Sequence, residues 1–167
     1  HLGSSAGRFD EAKLRWVNAQ HLKAMDDAAL ASLVAEQLGQ RGIVTDERLP
    51  PICGLFKDRC DTTVALADWA AAFYAEVTPS EAERAQHITD AVRPALATLA
   101  QKLAEVGWDK AAIAAAIKET IAAHGLKMPQ LAMPVRVLVM GTAQTPSLDA
   151  VLALQDRKKV LARLQNA

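Results

Sequence analysis

The stretch MPQLAMPVRVLVMG, residues 128–141, admits two readings, and the choice between them sets the fold. Val135, Val137 and Val139 alternate as a half-buried strand does, whereas Leu131, Val135 and Leu138 fall on one face of a helix. A strand must pair with another, and no second strand pattern stands elsewhere in the 167 residues. The spacing therefore predicts a helix over this stretch and an all-α chain.

Working outward, Thr145 and Pro146 suit the N-cap and first helical position of a following helix whose buried face is Leu148, Val151, Leu152 and Leu154. A basic amphipathic segment, DRKKVLARLQ, closes the chain. On the N-terminal side, Leu96, Leu99, Leu103 and Val106 make one stripe. Asp109 caps a second stripe of Ile113, Ala116, Ile117 and Ile121, which Gly125 ends, so the two form a helical hairpin. Thr78, Pro79 and Glu81 read as a capping box that opens an earlier helix. Thr62 or Thr63 opens the segment carrying Leu66, Trp69, Ala70, Phe73 and Tyr74. Asp26 or Asp27 caps a helix with Leu30, Leu33, Val34 and Leu38 inside and Gly42 as its left-handed stop. Asp10 caps the first helix, which runs to about Ala24 with His21 on its inner side. HLGSSAG, ahead of Phe9, reads as a linker or a cut end.

Composition agrees with helices. Hydrophobic residues make up 51% of the chain and aromatic residues only 4%, and the 34 alanines far outnumber the 3 phenylalanines, which excludes an all-β protein. Net charge is zero, yet residues 121–167 hold six bases (Lys127, Arg136, Arg157, Lys158, Lys159, Arg163) against Asp149 and Asp156. A local basic patch on a neutral protein fits both a solvated helix face and an RNA-binding surface. Cys53 and Cys60 have no histidine partner and no second pair, so buried free thiols are expected and a metal site is not. No apolar run is long enough to span a membrane, and the N-terminus lacks the layout of a signal peptide, which together point to the cytoplasm.

Chemistry is sparse. The histidines His1, His21, His87 and His124 are scattered, no P-loop or GxGxxG is present, and Ser147 lacks the flanking glycines of a nucleophile elbow. No catalytic residue is expected within the chain.

Three segments carry a resemblance. FDEAKLRWVN at residues 9–18, continuing to His21 and Leu22, resembles the F-[DN]-x-x-K-L-x-W-x-N-x-x-[HY]-[IL] signature of bacterial glutamyl-tRNA synthetases. LFKDRCDTT at 55–63 is similar to that family's short segment with an arginine before a threonine-containing turn. MPVRVLVMGTAQTPSLDAVLAL at 133–154 is similar to its PxRxxxTG followed by a [ST]-P-x-L helix start, and the terminal helix resembles K-x-x-[VS]-x-x-R-[IL]. The motifs stand in family order across residues 9–165. Met140 departs from the usual threonine before Gly141, and His21 stands where tyrosine is common.

The family's HIGH-like and KMSK-like ATP motifs are missing. The resemblance therefore implies the C-terminal anticodon-binding region of a class I glutamate-tRNA ligase, a helical bundle of two small helical subdomains, 9–88 and 89–167, after a linker at 1–8. It implies that ATP and Mg serve the parent ligase and that no cofactor is bound by this piece. The partner it implies is glutamate-specific tRNA, bound by a monomer. Arg59 aligns with the family's anticodon-contacting arginine of the first subdomain and Arg136 with that of the second. Thr145, Pro146 and Leu148 align with its base-packing helix start. Arg157, Lys158, Lys159 and Arg163 would contact the tRNA backbone. The physical logic is that splayed anticodon bases expose edges that an arginine fork can read and that N–H groups at a helix start can bond. The competing reading is a helical protein-interaction or adaptor domain anchored by Trp16, Trp69 and Trp108.

Overall fold

A computed structural model of the chain describes residues 13–14 and 17–167, and every regular element among them is helical. The linker expected at 1–8, the Asp10 cap and Trp16 lie outside the described residues. Two compact units divide the chain between Tyr74 and Ala75. That division falls earlier than the expected 88/89 boundary, because the helix at Glu81–His87 packs on the helix at Met128–Met140 and so joins the second unit.

In the first unit, α1 is described at 13–14 and 17–24 and is followed by α2 (Asp27–Gln40), α3 (Leu49–Phe56), a single 3-10 turn (Lys57–Arg59) and α4 (Thr63–Ala71). α2, α3 and α4 pack on one another around Leu30, Val34, Leu38, Ile52, Phe56 and Leu66. Phe56 sits at the centre, stacked on Trp69 with ring centroids 4.9 Å apart and meeting Phe73 edge-on at 5.7 Å. Gly42 takes φ +77° just beyond α2, as the left-handed stop requires. Gly54 is held for another reason: a Cβ there would collide with the Asp27 carboxylate, which is ion-paired to Lys57 Nζ at 2.9 Å. On α1 the inward residue is Leu22, whereas His21 is exposed, so the expected inner histidine is corrected.

The second unit holds α5 (Glu81–His87), α6 (Arg93–Glu105), α7 (Lys110–His124), α8 (Met128–Met140), α9 (Leu148–Ala153) and α10 (Arg157–Gln165). α6 packs on α7 and α10, α7 on α9, and α8 on α5 and α10. The ambiguous stretch is helical. Val137 and Val139 are buried along with Leu131, Val135 and Leu138, so α8 is apolar nearly all round, which is why its sequence also satisfies the alternation of a strand. Pro134 sits within the helix and offers no N–H to the carbonyl four residues earlier.

Two caps differ from expectation in the same way. α5 is capped by Ser80, whose hydroxyl accepts from Glu83 N at 3.1 Å, rather than by Thr78. α9 has Ser147 as its N-cap rather than Thr145. Both begin with the string Thr-Pro-Ser, which supplies a hydroxyl on either side of the proline, and the helix starts after the serine each time. No helix among the described residues is long and apolar enough to cross a membrane.

Candidate nucleic-acid interface

Arg59 ends the 3-10 turn between α3 and α4. The turn is pinned on both sides. Ahead of Arg59, Lys57 Nζ reaches the Met25 carbonyl at 3.0 Å as well as the Asp27 carboxylate. Behind it, the buried Cys60 thiol donates to the Phe56 carbonyl at 3.5 Å, and Thr62 caps α4 by accepting from Ala65 N at 3.0 Å. A rigid frame thus presents Arg59, which is exposed and makes no hydrogen bond or ion pair among the described residues. A pocket of about 330 Å³ lies on the following residues, with His21, Asp61, Thr62 and Thr63 in its walls.

Arg136 occupies the second unit. It is half-buried on α8, and its Nη2 donates to the Pro146 carbonyl at 3.4 Å. The Thr145 hydroxyl donates to the same carbonyl at 2.9 Å, so this oxygen fastens the segment before α9 to the α8 arginine. Gly141, at φ +78°, turns the chain out of α8, and a Cβ there would press on the Val77 side chain at 3.1 Å. The outcome is a cleft of about 370 Å³ in which Arg136 and Leu148 share the walls with Lys118, Ser147 and Asp149. Thr145 is only 8% exposed and Leu148 4% exposed, so the first supports the loop and the second forms apolar wall.

The basic helix α10 does not behave as one set. Arg163 is corrected from a phosphate contact to an interior residue: it is 8% exposed, Nη1 donates to the Val139 carbonyl at 3.0 Å and Nη2 to the Ala75 carbonyl at 2.9 Å. Burial pulls its guanidinium below the ordinary arginine range, with nearby Glu76 opposing the shift. Arg157 lies over the Trp108 ring at 4.9 Å and donates to the Leu103 carbonyl at 2.8 Å. Lys159 is half-buried and Lys158 exposed, which leaves Lys158 as the most accessible cation of the four.

Tryptophans offered as interface anchors are engaged internally. Trp69 stacks on Phe56, and Trp108 Nε1 donates to the Gln155 carbonyl at 2.8 Å. Both cysteines are buried free thiols. Among the described residues no group of three histidine, cysteine or acidic side chains is placed to hold a metal ion.

Sequence reading missed Lys118 and Asp149. Asp149 stands next to Leu148 and was within reach of the motif, whereas Lys118 lies far off in sequence and is brought to the cleft only because α7 packs against α9.

The sequence model of the anticodon binding domain family matches residues 20–167. The glutamate–tRNA ligase of Albidiferax ferrireducens is 69% identical over 166 residues, covering 99% of this chain and 36% of that protein. The glutamate–tRNA ligase of Paracidovorax citrulli is 67% identical over 171 residues, covering all of this chain and again 36% of that protein. The chain thus spans little more than a third of the length of these curated relatives. In fold it is similar to a glutamate tRNA ligase of Elizabethkingia meningosepticum crystallised with its amino acid, with a TM-score of 0.83 at 20% identity over 91% of this chain and 31% of that one.

Proposed function

Since the chain belongs to the anticodon binding domain family, we propose that it binds the anticodon loop of glutamate tRNA and positions that tRNA for ATP-dependent aminoacylation by a glutamate-tRNA ligase of which it is the C-terminal part. In this reading the two units each present one arginine fork, Arg59 in the first and Arg136 in the second. Unstacked bases expose Watson–Crick edges rich in acceptors, and a guanidinium meets two of them at once.

The observation that carries the reading is the Arg136 cleft. A half-buried arginine, tied by one nitrogen to the Pro146 carbonyl, faces a space walled by Leu148 and bordered by exposed Lys118. An apolar wall beside an oriented donor suits the flat face and polar edge of a base. Arg59 supports it from the first unit by being exposed on a pinned turn. Thr145 and Pro146 hold the loop that leads into α9, whose first residue Leu148 walls the cleft, and Lys158, with Arg157 and Lys159, adds sequence-independent attraction for phosphate.

ATP and Mg belong to the activation step of the whole ligase. No residue of this chain is assigned to either, and the proposed setting is the bacterial cytoplasm, with the protein a monomer. The adaptor reading is not carried further, since Trp69 and Trp108 serve the interior of their own units.

The test is binding of the chain to a glutamate tRNA transcript against the same transcript with its anticodon replaced. Preference for the native anticodon is expected, on the order of tenfold or more. Equal affinity for both would overturn the reading.

A further inference from the structure

We propose that Lys118 and Asp149 complete the Arg136 cleft as a site for one splayed RNA nucleotide, Lys118 holding its phosphate and Asp149 accepting an N–H from its base edge. This rests on the anticodon-binding reading above and adds two residues to it.

Three helices meet at the cleft. Lys118 comes from α7, Arg136 from α8 and Asp149 from the first turn of α9, with Ile117, Ala132 and Leu148 among the apolar residues between them. Lys118 is exposed and makes no hydrogen bond or ion pair among the described residues. An unengaged ammonium beside a concave apolar surface is a seat for an anion. The carboxylate of Asp149 points the chemistry the other way. Its Oδ1 accepts from Ala150 N at 2.8 Å, which fixes the group, and a carboxylate has lone pairs for further donors.

The two charges divide the work. Phosphate is repelled by Asp149 and drawn to Lys118, so the ribose-phosphate lies on the α7 side. Base edges of every type used in RNA carry at least one N–H, and the edge placed between Arg136 and Asp149 meets donors from one and an acceptor from the other. Two cations and one anion leave the cleft with one surplus positive charge, which matches one phosphate and a neutral base. A base that offers only acceptors toward Asp149 leaves two acceptors face to face, so the carboxylate selects among bases rather than merely adding affinity.

The experiment measures binding of the full chain to glutamate tRNA transcripts, native and with each anticodon base replaced singly, across a salt series. Lys118→Gln is expected to weaken binding by about five- to tenfold on all transcripts and to make the slope of log affinity against log salt shallower by about 0.7, the value for one single-strand phosphate. Lys118→Arg is expected to keep the native slope. Asp149→Asn is expected to narrow discrimination about tenfold at one anticodon position and to leave the salt slope as it was. An unchanged slope in Lys118→Gln, or unchanged discrimination in Asp149→Asn, overturns the proposal. If Arg136→Ala loses anticodon preference while both of these variants match the native chain, anticodon binding stands and the nucleotide site falls. If the native chain shows no anticodon preference, both fall together.

Discussion

Arg163 Nη1 donates to the main-chain carbonyl of Val139 at 3.0 Å, so the basic terminal helix closes the end of α8 from the inside. Val139 belongs to the last turn of α8, where carbonyls lack intrahelical donors, and a cation there also meets the negative end of the helix dipole. The same carbonyl takes a second bond from Gln155 Nε2 at 3.0 Å.

Removal of that fork leaves the half-buried Ala75 carbonyl without its guanidinium donor and the buried Val139 carbonyl with Gln155 alone, and it opens a gap where a large buried side chain stood. Arg163→Ala is expected to cost about 2–4 kcal/mol of stability in urea or thermal unfolding, with RNA affinity per folded molecule unchanged. Arg163→Lys recovers little, because one ammonium does not reproduce a two-armed fork. A loss below about 1 kcal/mol together with weaker RNA binding and a shallower salt slope would return Arg163 to the phosphate-contacting set.

Arg136→Ala is expected to lower affinity for the native anticodon by about 1–3 kcal/mol and for base-replaced transcripts by less. The bond to the Pro146 carbonyl allows a different outcome, in which the loop before α9 loosens and every transcript loses equally. That pattern would make the arginine a loop fastener.

For Arg59 the distinguishing pair is a transcript ending its anticodon in C against one ending in G. Cytosine presents neighbouring acceptors O2 and N3, whereas guanine presents mainly N–H donors that oppose the guanidinium. Native chain should favour C, and Arg59→Gln, which donates and accepts, should narrow the ratio about tenfold. An unchanged ratio removes Arg59 from the reading surface, and its exposed position makes an effect on folding stability small.

Both thiols should behave as interior groups. Burial first, then the charge of Asp27 and the neighbouring Cys60, pushes the Cys53 thiol up to about 12, and burial followed by Asp61 pushes Cys60 up to about 11. The unfolded chain releases these protons near the ordinary 9.0 while the folded chain keeps them. Their contribution to stability is therefore whole below pH 9 and is lost as pH rises toward 11 to 12. Iodoacetamide at pH 8 should label neither cysteine until urea unfolds the first unit. Rapid native labelling of either would contradict its burial.

Helix positions were readable because local signals agreed: Asp109 and Gly125 bracket α7 as expected, and Gly42 follows α2. Caps at Thr-Pro-Ser were misread by two residues because both hydroxyls satisfy the local rule and only packing of the following turn chooses between them. Burial of a charge was not legible either. Arg163 has the spacing of a solvated face, and nothing in DRKKVLARLQ announces that two distant carbonyls need its guanidinium. Lys118 was invisible for the complementary reason, since the Arg136, Leu148 and Asp149 that share its cleft come from other helices.

Gly54 and Asp27 occupy one shared volume, because the space a methyl group would fill on the glycine already holds a carboxylate oxygen. The two positions are therefore epistatic. Gly54→Ala alone moves the Asp27 carboxylate off the Lys57 ammonium, which then steadies the turn bearing Arg59 through the Met25 carbonyl only. The carboxylate is the far end of a half-exposed side chain, so it swings aside at little cost, and what the methyl group removes is the ion pair. Gly54→Ala and Asp27→Ala should accordingly each cost little stability, and together no more than either alone, because both remove the same ion pair.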